Sequence, residues 1–144
     1  MVNYDTVDHI IDWFREHSIV DSYSIDMAIY ENNLMIVKFL HHHPRGYSTE
    51  AMNTAVDLGY RKIVEYLLEK GYAVDDYDVD TAADNGHLEI MKLIWRPGCF
   101  STSIDLAAQN GHNEIVQFIH DNRSPGEEYF YQELVRRLSQ LIDK

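Results

Sequence analysis

Four stretches of the chain place small, polar and apolar residues in the same order. Each opens on an alanine, and Ala28, Ala55, Ala82 and Ala107 fall 27, 27 and 25 residues apart. Counting from the alanine, offsets +8, +9, +11 and +12 are apolar in every copy. They are Ile36, Val37, Phe39 and Leu40, then Ile63, Val64, Tyr66 and Leu67, then Ile90, Met91, Leu93 and Ile94, and last Ile115, Val116, Phe118 and Ile119. That spacing gathers them on one stripe of a helix. Offset −3 is apolar as well, at Ile25, Met52, Val79 and Ile104, which predicts a short first helix from about −6 to +3 with alanine where two helices approach closely. Offset +4 is Gly59, Gly86 or Gly111, with Asn32 in the first copy. These residue types tolerate the left-handed backbone that ends a helix. Each unit therefore reads as helix, tight turn, helix, loop. One helix pair cannot bury its apolar stripe alone, and stacking of successive pairs would do so.

Hydroxyl and acidic residues stand where the first helices should open: Ser22 or Ser24, Ser48 and Thr49, Asp76 or Asp78, Ser101 and Thr102. They are the expected N-caps. Residues 1–19 imitate a second helix through Val7, Ile10, Ile11, Trp13 and Phe14, with Asp8, Asp12 and Arg15 turned to water. This half unit is expected to cap the stack, residues 20–124 to form four repeats, and residues 125–144 a C-terminal capping helix. The last segment follows Pro125 and Gly126, and its Phe130, Leu134, Leu138, Leu141 and Ile142 share one helical face. A helix that docks a partner, or a repeat cut short, remains the alternative for it. The expected architecture is all-α, one domain over 1–144.

Charge narrows the partners. Acidic residues outnumber basic ones 24 to 12 in 144 residues, for a formal charge of −12. Such a surface repels phosphate backbones, so direct nucleic-acid binding is not expected, whereas a basic protein surface is the natural complement. The 45% hydrophobic content is that of a globular chain. The lone Cys99 leaves no intramolecular disulfide and fits a reducing compartment. No stretch approaches the roughly 18 apolar residues of a membrane span, and the N-terminus has no signal-peptide pattern, so a cytoplasmic protein is expected.

Candidate chemistry is sparse. His41, His42 and His43 are consecutive, and on a helix neighbours point about 100° apart, which prevents three of them from converging on one ion. The run also falls at a helix end, where histidines suit the dipole. Asp75, Asp76, Asp78, Asp80 and Asp84 cluster around one loop and the helix after it. They fit a solvated capping surface or an acidic docking patch; a calcium loop of EF-hand type would need a glycine and a terminal glutamate that are missing here. Cys99 has no base near it in sequence. There is no glycine-rich phosphate loop, no nucleophile elbow and no spaced Cys/His set. No catalytic residue, cofactor or metal site is expected.

The run from Gly86 through His87, Leu88, Glu89 and Ile90 to Ile94, and its counterpart from Gly111 and His112 to Val116, resemble the second-helix signature of ankyrin repeats. Ala82–Ala83 and Ala107–Ala108 resemble the alanine pair ending that family's first helix. The likeness covers about 100 residues. The unit is shorter than the roughly 33 residues usual for ankyrin, and shorter still than tetratricopeptide or HEAT units of about 34 and 40. The family's threonine-proline-leucine-histidine start is missing, which implies a projecting finger reduced to a tight turn. The resemblance implies a helix-turn-helix solenoid, structural roles for His87 and His112, and protein binding on the concave face of the first helices. By position that face carries Tyr23, Met27 and Tyr30, then Glu50, Thr54 and Asp57, then Tyr77, Thr81 and Asp84, then Thr102, Leu106 and Gln109. The expected function is recognition of another, basic protein by a monomer. The alternative is an acidic inhibitor that mimics nucleic acid and occupies a nucleic-acid-binding protein.

Overall fold

A computed structural model describes residues 7–16, 22–42, 48–96, 100–122 and 128–142. Over these the chain is all-helical, in two compact units, residues 1–73 and 74–144. Unit one holds α1 (Val7–Glu16), α2 (Ser22–Tyr30), α3 (Leu34–His41), α4 (Ala51–Leu58) and α5 (Arg61–Glu69). Unit two holds α6 (Asp76–Asn85), α7 (Leu88–Ile94), α8 (Phe100–Gln109), α9 (Asn113–Asp121) and α10 (Glu128–Ile142).

Within each unit the helices pair as the periodicity predicts. In unit one α2 packs on α3 and α4 on α5, with first helix against first helix (α2 on α4) and second against second (α3 on α5). Unit two repeats the scheme with α6, α7, α8 and α9, and α10 lies on the first helix α8. The contacts follow from the pattern. Ala28, Ala55, Ala82 and Ala107 are fully buried, as are Ile25, Val79 and Ile104, and Met52 nearly so. A methyl side chain at the alanine position lets two backbones approach, and the residue three before it fills the adjoining space. Along the second helices Ile36, Ile63, Ile90 and Ile115 and, one turn later, Leu40, Leu67, Ile94 and Ile119 are buried. Truncating one such side chain to alanine typically costs about 2–5 kcal/mol.

Offset +11 departs from the expected stripe. Phe39 is 47% exposed and Leu93 is exposed, while Tyr66 alone of the four is buried. The stripe is narrower than drawn: +8, +9 and +12 face the core, and +11 lies at its edge.

All four turns share one backbone. Asn32 (φ 53°), Gly59 (76°), Gly86 (78°) and Gly111 (75°) are left-handed. The next N–H returns five residues to the alanine carbonyl: Asn33 to Ala28 (2.8 Å), Tyr60 to Ala55 (3.0 Å), His87 to Ala82 (2.9 Å) and His112 to Ala107 (2.8 Å). This is the helix-ending motif that needs a left-handed residue. At Tyr60, His87 and His112 the chain then makes a tight reverse turn, with Arg61, Leu88 and Asn113 N–H bonded to the glycine carbonyls at 3.0–3.1 Å. Asn33 adds a side-chain cap, its Oδ1 accepting from the Ile36 N–H at 3.3 Å.

The expected caps are revised. Ser24 is buried inside α2, and Ser101 and Thr102 lie inside α8. Glu50 holds the N-cap position of α4 without a side-chain cap bond. Ser48 and Ser103 instead donate to carboxylates of the preceding first helix, Asp26 (3.0 Å) and Asp80 (2.6 Å). The Ser48 oxygen still accepts from a local amide, the Glu50 N–H at 3.1 Å, while its hydroxyl donates to Asp26. Among the helices whose N-cap is described, only α6 has a side-chain carboxylate cap, and it is Asp75: its Oδ1 accepts from the Asp78 N–H (2.9 Å) while Asp78 Oδ2 accepts from the Asp75 N–H (3.0 Å).

At the chain's start, Trp13 is buried and donates to Glu31 Oε2 at 2.6 Å, His9 Nε2 meets Asn33 Nδ2 at 2.6 Å, and Phe14 stacks edge-on with Phe39. Asp12 and Arg15 are exposed as expected and pair at 3.2 Å. In α10 Leu138 is buried, but Leu141 and Ile142, expected on the same covered face, are 61% and 75% exposed. The side chains of Asp8, Ile10, Ile11, Phe130 and Leu134 lie outside the described residues, as do His43, Cys99, Pro125 and Gly126.

Candidate functional site

The first-helix positions divide between the two units. On unit one, Met27 and Tyr30 of α2 are exposed, Tyr30 to 59%. Glu50 and Asp57 at the two ends of α4 are exposed and Thr54 between them is half-buried. The side chain of Tyr23 lies outside the described residues. On unit two, Tyr77 in the first turn of α6 is 67% exposed, Asp84 is exposed, and Thr81 is half-buried with its hydroxyl donating to the Tyr77 carbonyl at 2.8 Å. Thr102 and Gln109 on α8 are exposed and Leu106 is half-buried. Among the described residues the two most exposed aromatic rings, Tyr30 and Tyr77, are both on first helices. The sequence spacing found them because a first helix buries its −4, −3, 0 and +1 positions against its neighbours, leaving −5 and +2 on the other side and −1 at the edge.

Electrostatics differ between the units. In unit one the Asp26 carboxyl is pushed above the ordinary carboxylate range, first by burial and further by Glu50, against the opposing hydrogen bond from Ser48. Its Oδ1 is buried without a hydrogen-bond partner. Two carboxylates on adjacent first helices therefore repel across a partly dry gap. In unit two the aspartate cluster is tied to protein groups. Asp75 and Asp78 cap α6, Asp76 pairs with Arg96 at 3.5 Å, Asp80 takes the Ser103 hydroxyl, and Asp84 Oδ1 accepts from Asn110 Nδ2 at 2.7 Å. Of the readings open for that cluster, helix capping and surface pairing account for these contacts.

The histidines behave as fold elements. His112 Nε2 donates to the Asp84 carbonyl at 2.9 Å, reaching from the turn of one helix pair to the first helix of the preceding pair. His41 and His42 come closer than helix geometry suggests, with ring centroids 5.2 Å apart, because His42 is the residue after the last turn of α3. His41 Nδ1 is engaged with the Tyr72 hydroxyl at 3.2 Å. Among the described residues no three His, Cys, Asp or Glu side chains are grouped as a metal site requires. A shallow cleft of about 340 Å³ runs between the α7 and α9 turns, lined by Gly86, Leu88, His112 and Glu114. It presents no nucleophile with an adjacent base.

One grouping escaped the spacing argument. Lys38 of α3 and Lys70 after α5 lie over the Tyr66 ring at 5.6 and 5.5 Å from its centroid, and His41 meets that ring edge-on at 5.9 Å. Two repeats must pack to assemble it, and a tyrosine at +11 where the other copies have Phe or Leu was the available signal.

Comparison with protein-family models and with curated proteins found no match to this chain. No helix among the described residues is long and apolar enough to cross a membrane.

Proposed function

We propose that the chain is a protein-recognition module of ankyrin-like helix pairs, which engages a basic protein surface through its first helices. The observation that carries this reading is the exposure, on first helices or at their starts, of Tyr30, Asp57 and Glu50 on one unit and of Tyr77 and Asp84 on the other. Tyrosine rings bring large contact area with little conformational freedom to lose, and they are frequent anchors of interfaces. Exposed carboxylates on the same helices select by charge. The Asp26–Glu50 pair supports a cationic partner, because attraction to an incoming ammonium or guanidinium would offset the burial and the repulsion that raise Asp26. The left-handed residue and the bond back to the alanine carbonyl shared by the four turns support descent of the helix pairs from one repeated unit, and the contact of α10 with α8 suits a cap. Nothing in the site geometry favours catalysis over binding.

The test is a pull-down with the full chain, followed by affinity measurements on the recovered protein at two salt concentrations. Substituting Tyr30, Asp57 and Asp84 together should abolish binding and leave the melting temperature nearly unchanged, since exposed positions typically alter stability by less than about 0.5 kcal/mol. The remaining affinity should depend less on salt. Full affinity in the triple variant would overturn the assignment of the face. Competition of the recovered protein by DNA would favour the nucleic-acid-mimic reading instead.

A further inference from the structure

We propose that α1 is an acid-operated latch, held on the first helix pair through His9 and Asn33 while the His9 ring is neutral and released when that ring takes up a proton. The device belongs to unit one alone and does not depend on how the first-helix face is used.

Asn33 fixes the state of the ring. It is 2% exposed, so its amide must find its partners within the protein. Its Oδ1 caps α3 by accepting from the Ile36 N–H at 3.3 Å, which leaves Nδ2 facing His9 Nε2 at 2.6 Å. An amide nitrogen only donates, so Nε2 accepts and the ring proton sits on Nδ1. A second proton, on Nε2, would set donor against donor at that distance. Turning the amide over does not rescue the contact. Oδ1 would then serve the imidazolium, and the NH2 group would be left against the Ile36 N–H in a buried place. Once His9 is charged, the cap of α3 and the docking of α1 compete for one oxygen.

The other polar tie of α1 has the same sense. Buried Trp13 donates its indole N–H to Glu31 Oε2 at 2.6 Å, so that bond also uses the deprotonated form of a titratable group, two residues before Asn33 in the same turn. Release would also part Phe14 from Phe39, whose rings lie 5.2 Å apart, and bare the surface that Trp13 covers. Among the described residues the charged side chains of the elements that meet here are Asp12, Arg15 and Glu16 of α1, Asp26 of α2, Glu31 in the turn and Lys38 of α3. His41 and His42 lie at the far end of α3 from Asn33. Carboxylates attract an imidazolium and so oppose the latch. Asp12, Glu16 and Glu31 are exposed, however, Asp12 is paired with Arg15, and Asp26 holds the Ser48 hydroxyl. Attraction screened by water is weak beside a direct clash of donors.

Docked α1 binds one proton fewer at His9 than released α1. Docking is therefore favoured at high pH and weakens as pH falls through the ordinary histidine range, near about 6.5, by up to about tenfold per pH unit for one proton. Trp13 reports the event. The chain has two tryptophans, so in the full chain carrying Trp95→Phe the emission belongs to Trp13. Between about pH 8 and about pH 5 that emission should shift to longer wavelength and become more open to quenching by acrylamide. His9→Gln offers Asn33 Nδ2 an acceptor oxygen at every pH, so it should keep Trp13 buried and lose the step. Nitrogen NMR of the unaltered chain above about pH 7 should find the His9 proton on Nδ1, a reading that needs no variant to fold. Trp13 emission that ignores pH would overturn the proposal, as would a step that survives in His9→Gln or a ring proton on Nε2 in the docked state.

Discussion

Gly86 and Gly111 occupy the same place in successive repeats with almost the same backbone, φ 78° and 75°, yet alanine should be far worse at the first. At either position an L-residue in the left-handed region costs about 1–2 kcal/mol. The loss of unfolded-state freedom on replacing glycine is favourable and equal for both, so it cancels in the comparison. The surroundings do not cancel. A Cβ on Gly111 would meet nothing within 4 Å, whereas a Cβ on Gly86 would fall 2.7 Å from Cε1 and Nδ1 of His112. That ring is held by its hydrogen bond to the Asp84 carbonyl and cannot retreat without breaking it. A net hydrogen bond is worth about 1 kcal/mol, and the displaced ring loses packing as well. Gly86→Ala should therefore cost about 3 kcal/mol and Gly111→Ala about 1–2. Urea unfolding of both variants gives the difference from the midpoints, provided the slopes agree. A double-mutant cycle isolates the cause: in a His112→Ala background the Gly86→Ala penalty should fall to the Gly111 level. Equal costs for the two glycines, or a Gly86 penalty that survives loss of the imidazole, would refute the reasoning.

Two further outcomes follow from the contacts. The Asp26 carboxyl holds its proton more tightly folded than unfolded, so its contribution to stability is greatest at low pH and falls as pH rises from about 4 through the raised value. Asp26→Asn, the residue type the next repeat carries at Asn53, should flatten that part of the pH–stability profile and leave neutral-pH stability unchanged or slightly higher, the gain being reduced by solvent screening. Unfolding curves at several pH values check this, and a clear loss of stability at pH 7 would contradict it. Asp75→Ala removes one half of the α6 capping pair and should cost about 1 kcal/mol. Hydrogen exchange should quicken first at the Asp78 amide, and an unchanged rate there would show that the cap is dispensable.

The sequence alone determined the features that are local in the chain. Helix-period apolar positions named the buried Ile25, Ile63, Ile90 and Ile104, because one helix can present only one stripe to its neighbours. A glycine or asparagine after each first helix named the left-handed turn, because few other residues adopt it without strain. The exposure of Tyr30, Asp57, Tyr77 and Asp84 was legible for the same reason. What the sequence left open depends on which residues of different repeats meet. Ser48 read as a cap because it lies at a helix start, but its hydroxyl donates to a carboxylate 22 residues earlier, and beside the expected caps Ser101 and Thr102 it is Ser103 that donates to one 23 residues earlier. Offset +11 is apolar in all four copies, yet only packing decides that Tyr66 is buried while Phe39 is not. The resemblance implied a structural role for His112, and the tertiary structure adds that its ring is the wall that forbids a side chain at Gly86. Lys38 and Lys70 are ordinary charges 32 positions apart in the chain. The pairing of α3 with α5 brings both onto one ring, since periodicity fixes which face a residue takes and only packing fixes what faces it.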